Sequence, residues 1–196
     1  YICCNPIASI KLQNNVLTTS YPDGHTQEIQ LNANENLTSH ISDFKASFIT
    51  DDLDFKFIYN GLFGFTSYDA FSRFEEIGIT KKESDLDIPD LYYAVYQNII
   101  AINHFNNEAY IFEHLSPNCK SQKQNILQLL QNQSLATYHF SKVSEPISRL
   151  GDDEYIDMVK KAKAHCQRGD VFQLVLSRRF EQAFEGDEFE VYRSLR

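Results

Sequence analysis

The sequence predicts an α+β fold in which antiparallel β-sheets carry helices packed on their outside. Three observations predict it. Runs rich in β-branched and aromatic residues are joined by short Asn, Asp and Gly turns. Between them, apolar residues recur at helical spacing. The chain of 196 residues is 42% hydrophobic and 13% aromatic, enough to bury a substantial core.

Residues 1–31 read as antiparallel strands. IASIKL and NVLTTS flank a polar turn at Gln13-Asn14-Asn15, and Pro22-Asp23-Gly24 supplies a second turn. Residues 36–48 carry Leu37, Ile41, Phe44 and Phe48 at the spacing of an amphipathic helix, ahead of the acidic loop Asp51-Asp52-Leu53-Asp54. In FKFIYNGLFGFTSY, residues 55–68, two short apolar stretches surround Gly61 and Gly64. Glycine weakens a strand, so there it marks a bulge or a close backbone approach. Residues 69–77 suit a short helix with Phe71 and Phe74 inward, and the polar residues 78–90, with Pro89, a mobile loop.

The clearest hairpin joins residues 92–104 to 108–115 through Asn106-Asn107. Ile126, Leu129 and Leu130 mark a helix ending near Gln133. Residues 136–150 are extended and polar with Pro146, which places a domain boundary between 1–145 and 146–196. Asp152 suits the N-cap of a helix whose first turn holds Asp153 and Glu154. Tyr155, Met158, Val159, Ala162 and Cys166 form its apolar stripe, Arg168 falls in the last turn, and Gly169 takes the C′ position. Residues 171–180 alternate as a strand: Val171, Gln173, Val175, Ser177 and Arg179 on one face, Phe172, Leu174, Leu176, Arg178 and Phe180 on the other. A turn at Glu185-Gly186 leads to Asp187, which with Glu190 makes a capping-box-like start to a last helix.

A net charge of −9, with no run of Lys or Arg longer than a pair, argues against nucleic acid and anionic membrane as partners. No apolar run approaches the ~20 residues of a membrane span, and the opening residues lack the basic start and apolar stretch of a signal peptide. Cys3, Cys4, Cys119 and Cys166 follow no disulfide or metal-clamp spacing and read as thiols of a reducing, cytoplasmic protein. The chain opens on apolar YICC and stops at YRSLR inside a predicted helix; termini are usually polar and loose, so both ends are expected to be cuts. GxGxxG, P-loop, GxSxG and HExxH patterns do not occur, and the six histidines are scattered. Ser67-Tyr68-Asp69 has two readings, a small polar site or a cap for the following helix. Gln173, between Val171 and Val175, likewise has two: an amide bonded to backbone in a core or on a strand at an exposed edge, or a neutral hydrogen-bonding group in a substrate pocket.

GDDEYIDMVKKAKAHCQRGDVFQLVLSRRFEQAFEGDEFEVYRSLR, residues 151–196, resembles the start of the chorismate-binding domain of anthranilate synthase component I. There a helix runs into G-D-[VI]-[FY]-Q, a strand of the type V-x-S-R-R-F, and a helix containing Y-R-x-L-R. NGLFGFTSYDAFSRFE resembles the same family's G-x-x-G-Y-x-S-Y-D block, with Phe65 where Tyr is common and Asn60 where Gly often stands. The opening YICCNPIASIK resembles its Y-S-F-I-G-x-x-P strand. The three blocks stand in the family's order and span the chain.

The resemblance implies a lyase of tryptophan biosynthesis that converts chorismate and ammonia to anthranilate and pyruvate. It implies Mg²⁺ as cofactor, a glutamine amidotransferase subunit (component II) delivering the ammonia, and tryptophan as feedback inhibitor. In the family the metal-binding glutamates and the catalytic His and Thr lie in the second half of the protein, and none of those motifs occurs here. The chain is therefore expected to be an inactive N-terminal fragment with an incomplete fold, holding no metal or cofactor residue. Gln173 is the one active-site position the resemblance carries over. In the water-using relatives, isochorismate and salicylate synthases, a Lys stands there to activate water; a neutral Gln suits ammonia. VLSRRF looks closer to anthranilate synthase than the V-N-L-S-Q-R-F of aminodeoxychorismate synthase component I, which stays as the alternative. A reading of another class is a non-catalytic regulatory or binding module.

Overall fold

Asn14 and Asn15 both adopt left-handed backbone, at φ 51° and 63°. A two-residue turn of that hand matches the twist of antiparallel strands, and it folds β1 (Ile2–Gln13) directly onto β2 (Val16–Ser20) with Gln13 opposite Val16. A second turn through Gly24, φ 85°, returns β3 (Thr26–Gln30) along β2. Both hairpins are those the sequence predicts. The computed structural model describes residues 1–33, 35–75, 87–132 and 139–196. They divide into two compact units, Tyr1–Asn132 and Gln133–Arg196.

In the first unit, alternate residues of β1 and β2 turn inward: Ala8, Ile10, Leu12 and Leu17 are almost wholly buried. That face receives α1 (Thr38–Ala46), which brings Phe44 and the preceding Leu37 into the same core. The Phe44 and Phe48 rings meet edge-on, 5.1 Å apart, so the predicted apolar stripe is the packing face. The thirteen-residue β5 (Leu91–Asn103) is the central strand. It pairs with β1 along one edge, and with β4 (Phe63–Thr66) and β6 (Glu108–Glu113) along the other. The resulting antiparallel sheet has the order β3-β2-β1-β5-β4, with β6 beside β5. A bulge interrupts the β1–β5 register between Pro6 and Ala8, next to Asn5 at φ 56°.

Gly64 is the close approach that its position in an apolar stretch suggests: a Cβ there would stand 1.9 Å from the Tyr92 carbonyl oxygen. The expected helix at 69–77 is a 3-10 helix, Tyr68–Arg73. Residues 76 and 77 fall outside the described residues, as does most of the polar loop expected at 78–90. Arg73 is 4% exposed, and its guanidinium donates to the Asn32 carbonyl and to Asn15 Oδ1, the latter at 2.5 Å, and so ties the 3-10 helix to the first turn. The helix α2 (Lys123–Gln131) buries Ile126 and is capped from a distance. Glu113 accepts from the amides of Gln122 and Lys123 at 2.5 and 3.1 Å and from the Ser121 hydroxyl at 2.7 Å.

The second unit holds β7 (Phe140–Lys142) paired with β8 (Phe184–Gly186), and the helices α3 (Asp152–Arg168) and α4 (Glu188–Leu195). Three expectations are corrected here. Glu185 and Gly186 form strand rather than turn, and glycine is needed because a Cβ at 186 would stand 2.1 Å from the His139 carbonyl oxygen. Gly151, not Asp152, is the N-cap of α3; its N–H donates to Glu154 Oε2 at 2.9 Å. Residues 171–180 join no ladder among the described residues. Alternation specifies two faces, whereas a strand also needs a neighbouring backbone to pair with. Asp187 caps α4 as predicted, accepting from the Phe189 amide at 2.7 Å. No described helix is long and apolar enough to cross a membrane. The architecture is the predicted one, antiparallel sheet with helices against it.

Candidate functional site

The candidate site is the stretch that carries Gln173, and its geometry starts at the end of α3. Gly169, at φ 78°, reverses the chain there. Its N–H donates to Cys166 O and that of Asp170 to His165 O, both at 3.1 Å, the bond pair of a Schellman cap. In such caps the residues that the longer bond joins are commonly apolar; here they are Asp170 and His165. Asp170 Oδ2 lies 2.8 Å from His165 Nδ1 and accepts from Arg168 Nη2 and Nε at 2.7 and 3.1 Å. The Arg168 hydrogen bonds, with a smaller contribution from His165, hold the Asp170 carboxyl below the usual carboxylate range. Without them a carboxylate at the negative end of a helix would be disfavoured.

From Asp170 the chain runs back along α3. Leu174 and Leu176 face Val159, Ala162 and Cys166 across a shallow groove of about 350 Å³. At the far end Arg178 Nη1 donates to Asp152 Oδ1 at 2.6 Å and Nε to Ser148 Oγ at 3.1 Å, while its guanidinium lies 4.8 Å from the Phe180 ring centroid. With the leucines turned to α3, the alternate residues Gln173, Val175 and Ser177 are exposed, Val175 to 81%. Gln173 is thus not a core amide, and it has no hydrogen-bond partner among the described residues.

The other sequence candidates do not assemble around it. Ser67 stands at the N-cap of the 3-10 helix without a capping bond, and its buried hydroxyl has no partner among the described residues; Tyr68 is 84% exposed. His114 Nδ1 meets the Tyr96 carbonyl at 2.7 Å, and His40 lies 3.5 Å from Glu35. Among the described residues no three His, Cys, Asp or Glu side chains converge as metal ligands would. A separate apolar cleft of about 490 Å³ lies between Ile41, Leu62, Phe71 and Phe74, with the Thr66 and Tyr93 hydroxyls 3.0 Å apart at its wall. Asp152, Asp170 and Arg178 were not singled out from sequence as site residues. The available signal was an arginine at position 178 on the face that also carries Leu174 and Leu176.

The family described as chorismate binding enzyme matches residues 8–196. Anthranilate synthase alpha subunit 1 of Arabidopsis thaliana is 32% identical over 69% of this chain and 27% of that protein. Anthranilate synthase component 1 of Lactococcus lactis is 26% identical over 100% of this chain and 43% of its own length. Aminodeoxychorismate synthase component 1 of Bacillus subtilis is 25% identical over 98% and 42%. The crystal structure of anthranilate synthase component I from Streptococcus pneumoniae superposes with a TM-score of 0.62 at 25% identity, covering 99% of this chain and 44% of that one. The chain spans less than half the length of these relatives.

Proposed function

Because this chain belongs to the chorismate binding enzyme family, we propose that it is the N-terminal part of an anthranilate synthase component I. The observation that carries this reading is the likeness along almost the whole chain to a solved anthranilate synthase component I. The complete protein then takes chorismate and ammonia to anthranilate, pyruvate and water. Ammonia adds at C2, the C4 hydroxyl leaves as water, and the enolpyruvyl side chain departs as pyruvate.

The residue of this chain with a role in that sequence is Gln173. Water must lose a proton as it attacks, and a basic side chain helps it; ammonia arrives with a free lone pair. A neutral amide can accept an ammonia N–H and aim the lone pair without competing for it as a base. Mg²⁺ supplies a hold on the substrate carboxylate and eases loss of the hydroxyl; its ligands belong to the rest of the protein. A glutamine amidotransferase subunit supplies the ammonia in the cytoplasm, and tryptophan is the inhibitor expected of such an enzyme.

Residues 1–196 with chorismate, ammonium and Mg²⁺ are expected to give no anthranilate fluorescence and the complete reading frame to give it; turnover by residues 1–196 alone would overturn the placement of the chemistry. The Bacillus subtilis relative makes aminodeoxychorismate synthesis the second reading. The two separate by product: a fluorescent 2-amino aromatic, or a 4-amino diene that retains its enolpyruvyl ether.

A further inference from the structure

We propose that Asn60 and Gly61 form a self-modification site, where the chain closes a succinimide and releases ammonia at a rate restrained by Thr50. The proposal does not rest on the function proposed above. Asn60 alone among the asparagines precedes glycine, and it stands where the family's block often has Gly. The reaction joins the Gly61 nitrogen to Asn60 Cγ. The Cγ–Nδ2 bond breaks, and the amide nitrogen leaves as ammonia with the proton that Gly61 gives up. Water then opens the ring at one carbonyl or the other, leaving aspartate or isoaspartate.

Three features of the structure bear on that attack. Both residues lie in a bend ahead of β4, outside helix and strand, so the Gly61 nitrogen is not tied into a ladder. Gly61 has no Cβ to hinder its nitrogen, and at φ 127° the place of one is open to 4 Å. Against the attack stands one bond: Asn60 Nδ2 donates to Thr50 Oγ1 at 2.7 Å. Donor and acceptor are ten positions apart in the same unit, so the restraint is complete within it. The side chain gives up this bond as its amide turns to Gly61. The product does not restore it, because a carboxylate has no N–H to offer Thr50. Isoaspartate also routes the main chain through Cβ, lengthening it just before Gly64 lies against the Tyr92 carbonyl.

The test incubates the complete folded protein in mildly alkaline ¹⁸O-water, as wild type, Asn60→Gln, Thr50→Val and Thr50→Ser. Mass spectrometry of the peptide holding residue 60 follows the entry of label, and free ammonia is measured alongside. The wild type is expected to take up label at residue 60 faster than at Asn14 or Asn106, with ammonia in equal measure. Asn60→Gln should convert far more slowly, since its longer side chain closes a larger ring. Thr50→Val should convert about fivefold faster, the weight of one hydrogen bond, and Thr50→Ser at the wild-type rate. In denaturant the wild type and Thr50→Val should converge, because the restraint belongs to the fold. A variant counts only while its β1 and β5 amides stay protected from exchange, and Thr50→Ala replaces Thr50→Val if they do not. If residue 60 of the folded protein gains label no faster than Asn14 or Asn106, the site is overturned. If Thr50→Val matches the wild type when folded, or still outpaces it in denaturant, the restraint by Thr50 is overturned.

Discussion

The Tyr92 carbonyl oxygen occupies the space that a side chain at position 64 would need, 1.9 Å from an added Cβ. Tyr92 belongs to the central strand β5 and cannot yield without breaking pairing on both its edges. Gly64→Ala should therefore cost at least about 2 kcal/mol, read from the midpoint of denaturant unfolding. Glu113 offers a test by pH. Burial works to raise its pKa, but the Ser121 hydroxyl and the amides of Gln122 and Lys123 outweigh it, and the net shift is downward. A carboxyl whose folded pKa is depressed stabilises above its unfolded value, about 4.3, and loses that contribution as pH falls through the folded one. The Tm difference between wild type and Glu113→Gln should be largest near neutrality and shrink steadily below about pH 4.5. At Gln173 the measurement is catalytic. Gln173→Lys in the complete protein should lower ammonia-dependent anthranilate formation at least about tenfold, some 1.4 kcal/mol of barrier, since a charged ammonium would stand where a neutral amide is needed.

Among the elements, the β1–β2 hairpin shows how far local reading reaches. Two asparagines between alternating strands identify the turn, and both adopt the left-handed backbone it requires. Turn preference alone would favour glycine at position 15. The structure reverses that expectation, because Asn15 Oδ1 accepts from Arg73, a residue only 4% exposed. Asn15→Gly should cost about 1–3 kcal/mol by leaving a buried donor short of a partner, while Asn14→Gly should change stability by less than about 0.5 kcal/mol; thermal melts of the two variants decide it. Arg73 was not legible as a buried residue because its partners stand 41 and 58 positions away. Periodicity reports which face of an element is apolar, not which distant loop meets it. The same limit applies to residues 171–180: alternation placed Leu174 and Leu176 on the face that meets α3, but Phe172, on that same face, is exposed. The role of Gln173 rests on family likeness, since its spacing alone favours a structural amide, in a core or on an exposed edge strand, over a pocket group.

Over the whole molecule, burial is unequal. Among the described residues every buried side chain lies in the first unit and none in Gln133–Arg196. Phe172, Val175 and Leu195 are each more than four-fifths exposed. Hydrogen exchange on residues 1–196 should therefore show amides of β1 and β5 protected at least about a hundredfold more than those of β7 and β8. The composition foretold a chain able to bury a core, but an overall percentage cannot say in which unit it forms. The turn at Asn14-Asn15 leaves no spare residue between β1 and β2. A residue inserted there must either bulge the turn or slip the pairing, and a slip of one would turn Leu17 from the core to solvent.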